Sequence, residues 1–319
     1  FLLLDGAMGT QLFARGLTSG DNPELWNVDR PDDVAAVHRD YLDAGSDVIL
    51  TNTFGGSCFR LALHGLEDRV AELNEAGAAV ARGAADAAGT GALVAGSMGQ
   101  SGELIEPLGP RTVDEMAAAF TVQAAALAAG GADIIWIETF SAINELTAAV
   151  TGARAGAPEL PVVATMSFDT AGRSMMGVTG AQLAALAAEL ELDGFGANCG
   201  NNLADTESAL REALAVPGGP PVVSKANAGI PVWSGGNLVY DGSPEIMAAH
   251  GNRMRELGAR LIGACCGSEP AHLAEMRAVL DGEKPPLDLA APGPPPVAAE
   301  EAPRRPRRNR RNRRLSTAE

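Results

Sequence analysis

Three of the four cysteines in this chain sit in glycine-rich turns at the ends of apolar runs. Cys199 stands in Gly196-Ala197-Asn198-Cys199-Gly200, and Cys265 and Cys266 stand together in Gly263-Ala264-Cys265-Cys266-Gly267. Adjacent cysteines rarely bond to each other, because the small ring strains the peptide between them. Both can reach one ion where the chain turns, and flanking glycines permit that turn. Three thiolates brought to one face predict a metal site with an open fourth position; zinc suits that donor set, and an open position marks a catalytic site. Taken alone, Cys199 reads as a small buried hydrophobe, as free cysteine often is. The paired cysteines and the matching setting of Cys199 point to metal instead. Cys58 follows Gly55-Gly56-Ser57 without a partner at suitable spacing and reads as structural.

Zinc held by three thiolates is a weak Lewis acid, poorly suited to making hydroxide. It is well suited to binding a fourth thiol and ionising it at neutral pH. A bound thiolate is a good nucleophile, so the expected chemistry is attack by a substrate sulfur on an electrophilic carbon, as in methyl or alkyl transfer. Asp5 and Glu138 each close an apolar run and suit an ammonium group. Backbone N–H groups around Gly6 and from Thr51 to Thr53 suit a carboxylate. Each acid also has a structural reading, as a helix cap or ion pair. Two other function classes stay open: a non-catalytic zinc or redox-sensing module using Cys265 and Cys266, and a barrel lyase or aldolase forming a Schiff base on Lys225. The four histidines, His38, His64, His250 and His272, fall in helical or loop stretches and read as surface or cap residues. No dinucleotide fingerprint or P-loop is present.

The elements that must position these groups alternate. Apolar runs predict strands at Leu2–Asp5, Asp47–Thr51, Ala92–Ser97, Asp133–Glu138, Pro161–Met166, Gly194–Asn198, Val222–Lys225 and Arg260–Ala264. Helical periodicity fills 31–44, 66–88, 112–130, 142–155, 180–191, 203–214, 243–257 and 270–281. Acids open the helices after Pro31 and Thr112, where the helix dipole favours them, and Gly45 and Gly131 stand as C-caps. Eight strand–helix units predict an α/β fold, a (β/α)8 TIM barrel, with an open doubly wound sheet as the alternative. In such a barrel chemistry gathers at the C-terminal ends of the strands, where the cysteines, Asp5, Thr51, Thr53, Glu138 and Asn227 all fall.

The reading divides the chain into a barrel at 1–281 and a Pro/Arg-rich tail at 282–319, disordered by composition. The formal net charge of −16 conceals a split. Eight arginines lie in 304–314, and residues 1–303 hold 16 basic and 39 acidic side chains, near −23. Such a body repels nucleic acid; the tail reads as a solubilising extension or as a dock for an anionic partner. No apolar run is long enough to span a bilayer, and no signal-peptide pattern opens the chain. With few cysteines, these features predict a cytoplasmic protein. The absence of an initiator Met predicts a few residues upstream of Phe1.

Together, Asp5-Gly6-Ala7-Met8-Gly9-Thr10, Thr51-Asn52-Thr53-Phe54, Gly96-Ser97-Met98-Gly99, the two cysteine motifs and Asn227-Ala228-Gly229 resemble the homocysteine S-methyltransferase family, from Asp5 to about Leu280. The resemblance implies a zinc barrel with Cys199, Cys265 and Cys266 as ligands and catalytic groups, and homocysteine sulfur in the fourth position. It implies Asp5 and Glu138 on the amino group and Thr51 near the carboxylate. Gly6, Thr53 and Asn227 are expected in the substrate site beside them. Segments 21–27 and 168–173 look like bacterial proteins assigned as betaine–homocysteine methyltransferases, so betaine is the implied donor. Trp26 matches one aromatic of the animal-type donor cage, but Gly55 and Thr139 stand where two others would be. The alternatives are S-methylmethionine and a separate methylcorrinoid protein; the chain carries no corrinoid or folate domain of its own. A homo-oligomer is compatible with all of these.

Overall fold

Each short apolar run, rich in Val, Ile and Ala and bounded by turn residues, forms a parallel strand buried on both faces. The computed structural model describes residues 1–229, 231–234 and 237–289. The strands are β1 (Leu2–Leu3), β2 (Val48–Leu50), β3 (Leu93–Gly99), β4 (Ile134–Phe140), β5 (Val162–Met166), β6 (Gly194–Cys199), β7 (Val222–Ala226), β8 (Pro231–Ser234), β9 (Asn237–Tyr240) and β10 (Leu261–Ala264). The helices are α1 (Gly9–Ala14), α2 (Trp26–Asp29), α3 (Pro31–Asp43), α4 (Cys58–Ala62), α5 (Val70–Ala88), α6 (Val113–Ala129), α7 (Ile143–Gly156), α8 (Gly180–Glu189), α9 (Leu203–Leu214), α10 (Pro244–Leu257) and α11 (Pro270–Leu280).

Eight strands form one parallel sheet in the order β1-β10-β7-β6-β5-β4-β3-β2. A parallel bridge between Leu4 and Val48 joins its two edges. The expected barrel is therefore present, and the open sheet is not. All eight sequence-derived strands appear, with β3 and β4 running two residues further than expected. The antiparallel hairpin β8–β9, inserted between β7 and α10, was not anticipated.

Local chemistry sets the helix ends. Thr112 Oγ1 accepts from Glu115 N at 3.2 Å while Glu115 Oε2 accepts from Thr112 N at 2.9 Å, a reciprocal cap that starts α6. Gly45 and Gly131 both turn left-handed, at φ +95°, just past α3 and α6. The histidine expectation needs correction. His38, His250 and His272 are buried, and only His64 is exposed. His272 does cap α11, its Nδ1 accepting from Glu269 N at 3.0 Å. The amphipathic faces of α3 and α10 turn His38 and His250 inward, which residue type alone does not reveal.

Strand periodicity divides each strand's side chains between two cores. Ile135 and Ile137 join the large outer core between sheet and helices. Leu4, Val48, Leu50, Ala95, Ile134, Trp136, Val163 and Val223 fill the barrel interior. Trp136, fully buried, makes the floor. Residues 282–289 follow α11, with Arg253 Nη2 donating to Leu289 O at 2.7 Å. Most of the tail, 290–319 with its arginine run, lies outside the described residues.

Candidate active site

Two residues above the apolar layer, five neighbouring strands place a polar side chain on the same inner face. On β3, Ser97 follows Ala95; on β4, Glu138 follows Trp136; on β5, Thr165 follows Val163; on β7, Lys225 follows Val223. On β6, the glycines at 194 and 196 give way to Asn198. The period of two thus sets a polar layer on an apolar floor. Above it opens a cavity of about 350 Å³ lined by residues that include Asp5, Gly6, Thr51, Thr53, Glu138, Lys225 and all three candidate cysteines.

Cys199, Cys265 and Cys266 converge, their sulfurs all lying within 4.8 Å of one another. The Cys199 sulfur is 2.9 Å from that of Cys265 and 4.0 Å from that of Cys266, and all four cysteines of the chain are unbridged. Packed this closely, the thiols compete for one negative charge. Hydrogen bonds from Cys199 and Cys265 pull Cys266 well below an ordinary thiol, while the contacts of Cys199 with Cys265 and Cys266, then burial, push Cys199 well above one. A divalent cation would let all three ionise together. Bonds of about 2.3 Å in a tetrahedral site ask for sulfur–sulfur edges near 3.8 Å, between the 2.9 and 4.0 Å that separate the Cys199 sulfur from its two neighbours. The donor set therefore fits a thiophilic metal.

The backbone around these sulfurs is held in place. Cys199 and Thr139 adopt left-handed conformations, at φ 56° and 66°, that non-glycine residues avoid. Asn198 fastens both. Its Oδ1 accepts from Thr139 N at 2.8 Å and Thr165 Oγ1 at 2.7 Å. Its Nδ2 donates to Thr139 Oγ1 at 2.7 Å and towards the Cys199 sulfur at 3.5 Å. Asn227 links the two cysteine loops: its Oδ1 accepts from Cys266 N at 3.0 Å and its Nδ2 donates to Gly200 O at 2.7 Å. Ser268 Oγ donates to Cys265 O at 2.8 Å.

The charged groups form a second set. Lys225 Nζ lies 3.3 Å from Asp5 Oδ1 and donates to Gly6 O at 3.3 Å. The other Asp5 oxygen accepts from Leu50 N at 2.7 Å. Burial works against the charge on Lys225, but Asp5, Cys265 and Glu138 outweigh it and raise its pKa above that of an ordinary lysine. A Schiff-base lysine needs the opposite shift, so the aldolase reading loses its support. Glu138 accepts from Ser97 Oγ at 2.6 Å. Burial, against the pull of Lys225, lifts it to about 7. Thr51 and Thr53 share a 2.6 Å hydrogen bond and tie to the Ser97 backbone, at 2.9 Å to its N–H and 2.7 Å to its carbonyl. Gly6 is required by close packing: a Cβ there would stand 2.6 Å from Ser268 Oγ and 2.7 Å from the Tyr41 ring.

Two expected substrate residues are not on the cavity wall. Asn227 sits behind it, bracing the cysteine loops. Trp26 is buried on α2, with the Arg30 guanidinium 3.8 Å from its ring centre, and does not reach the cavity. Asn198, Thr139 and Ser97 were not among the expected substrate residues, and Lys225 was expected only as a Schiff-base lysine. For three of them the signal was present: an inward register at the end of an apolar strand.

Comparison with known proteins agrees with this geometry. The sequence profile of the family described as homocysteine S-methyltransferase matches residues 2–280. The methionine synthase of Mycobacterium tuberculosis is 36% identical over 297 residues, which are 88% of this chain and 25% of that protein. The methionine synthase of Mycobacterium leprae is 34% identical over 291 residues, 86% of this chain and 24% of that protein. The chain thus spans about a quarter of the length of these curated relatives. Among solved structures, the metallated form of the homocysteine methyltransferase MmuM from Escherichia coli superposes with a TM-score of 0.72 at 28% identity, covering 87% of this chain and 96% of that one.

Proposed function

The chain belongs to the homocysteine S-methyltransferase family, and from that premise we propose that it transfers a methyl group to the thiol of homocysteine, forming methionine, with zinc as its metal. The observation that carries this reading is the convergence of Cys199, Cys265 and Cys266 on a cavity whose wall also bears Glu138 and the Asp5–Lys225 pair. Zinc bound by the three cysteines would supply the Lewis acidity that lets a fourth thiol ionise near neutral pH. The residues of the chain do the rest.

Glu138 takes the α-ammonium of homocysteine, which would bring its own pKa back towards that of an exposed carboxylate. Asp5 contributes to the same negative field, although Lys225 already engages one of its oxygens. Thr51, Thr53 and Gly6 form the wall at which the substrate carboxylate rests. The homocysteine sulfur then attacks the donor methyl in line, and the buried wall keeps water from competing.

Betaine is the donor proposed, on the resemblance of segments 21–27 and 168–173. S-methylmethionine and a separate methylcorrinoid protein are the alternatives. The test measures methionine formation from homocysteine with betaine, S-methylmethionine and methylcobalamin in parallel, using zinc-loaded protein. Turnover with one of them supports the reading. No thiol-dependent methyl transfer from any source, with a disulfide forming readily among the cysteines, would replace it with the redox-sensor reading.

A further inference from the structure

Glu24 is a buried carboxylate on the wall of the same cavity, and the chemistry above does not use it. It lies in the 3-10 turn Pro23–Leu25 and is 3% exposed. Gly55 N donates to its Oε1 at 2.6 Å, and Asn22 Nδ2 donates to its Oε2 at 2.8 Å. Both donors are neutral. The ion pairs of the described residues do not include it, and Arg60 acts on it only from a distance. Asp5, by contrast, has Lys225. The loop after β2 is built around this carboxylate, since a Cβ at Gly55 would stand 2.8 Å from Glu24 Oε1.

Gly55 follows β2, and β2 faces β6, the strand of Cys199, across the ring of eight. Glu24 and the three cysteines line one cavity, with Glu24 held by the loop that leaves the strand opposite β6. A buried carboxylate without a cation carries a desolvation cost that an incoming positive charge recovers.

Methyl transfer to a thiolate supplies such a charge. In an onium donor the methyl carbon is bound to a positive sulfur or nitrogen. The thiolate electron pair forms the S–CH3 bond, the bond from methyl to the onium atom breaks, and that atom leaves with the bonding pair as a neutral thioether or tertiary amine. No oxidant, reductant or further proton is needed. The donor's charge is present before transfer and absent after it.

We propose that Glu24 recognises the positive centre of a small onium methyl donor and selects such donors over neutral or protein-borne methyl sources. This rests on the homocysteine-methylating reading above. The attraction is strongest in the ground state, so it acts on donor binding more than on the chemical step.

The test uses the full zinc-loaded chain with homocysteine and four methyl sources: betaine, S-methylmethionine, trimethylsulfonium and the neutral methyl iodide. Glu24→Gln should raise KM for the onium donor tenfold or more, while kcat, KM for homocysteine and the rate with methyl iodide stay within twofold. If the Gln variant does not fold, Glu24→Asp keeps the charge but withdraws it by one methylene, and should raise the same KM severalfold. An unchanged onium KM, an equal loss with methyl iodide, or a wild-type protein that uses methyl iodide but no onium donor would each overturn the assignment. A wild-type protein that fails to accelerate homocysteine methylation even by methyl iodide would instead sink the underlying homocysteine reading, and this proposal with it.

Discussion

Lys225 and Asp5 form an ion pair inside the barrel, 3.3 Å apart, with each side chain only 3% exposed. They come from β7 and the end of β1, so the pair spans the β10 strand between them. Removing one partner leaves an uncompensated buried charge. Lys225→Met should lose about 3–5 kcal/mol of stability, and the double variant with Asp5→Asn should recover much of it. Midpoints of urea unfolding for the two single variants and the double variant measure the coupling.

The thiol cluster makes a prediction about stoichiometry. Freshly purified, reduced protein should bind one metal ion per chain. Cys199→Ser, Cys265→Ser and Cys266→Ser should each lower that content and bring homocysteine methylation to background. Elemental analysis alongside the assay reads both. Full metal content in all three variants would show that the cysteines are not the ligands.

Asn227 touches the cysteine loops without lining the cavity. Outer partners of metal ligands are typically worth 10–100-fold in affinity or activity. Asn227→Ala should therefore weaken metal binding by about tenfold or more, with global stability changing little by comparison. Competition with a chromophoric chelator gives the affinity, and thermal melts of the metal-free protein give the control.

Acid should unfold the chain partly through two histidines far from the site. Burial holds His38 and His250 down at about 4, against an ordinary 6.5. The unfolded chain therefore binds more protons between these values. The contribution is complete above pH 6.5 and is lost as pH falls towards 4. Each histidine should remove about 2 kcal/mol by roughly pH 4.5. His38 has no hydrogen-bond partner on either ring nitrogen among the described residues. His38→Leu should flatten the fall, which unfolding midpoints at pH 7 and 4.5 would show.

Much of this was legible from residue order. The eight strands could be read because parallel strands buried on both faces are continuous apolar runs, and the cysteine turns because glycine marks where such a run ends. Trp26 was expected beside the substrate, but an aromatic in a loop has no period to orient it, and here its ring packs beneath Arg30. The hairpin β8–β9 was missed because its apolar stretches, Val232-Trp233 and Leu238-Val239-Tyr240, are short and no helical segment separates them. Glu24 lay within segment 21–27 with no sign of a role of its own. Its significance comes from Gly55, 31 residues away, whose N–H meets its carboxylate.

Trp136 closes the barrel below the polar layer. An apolar floor leaves the polar groups above it facing the C-terminal mouth of the barrel, so one rim gates whatever the cavity admits.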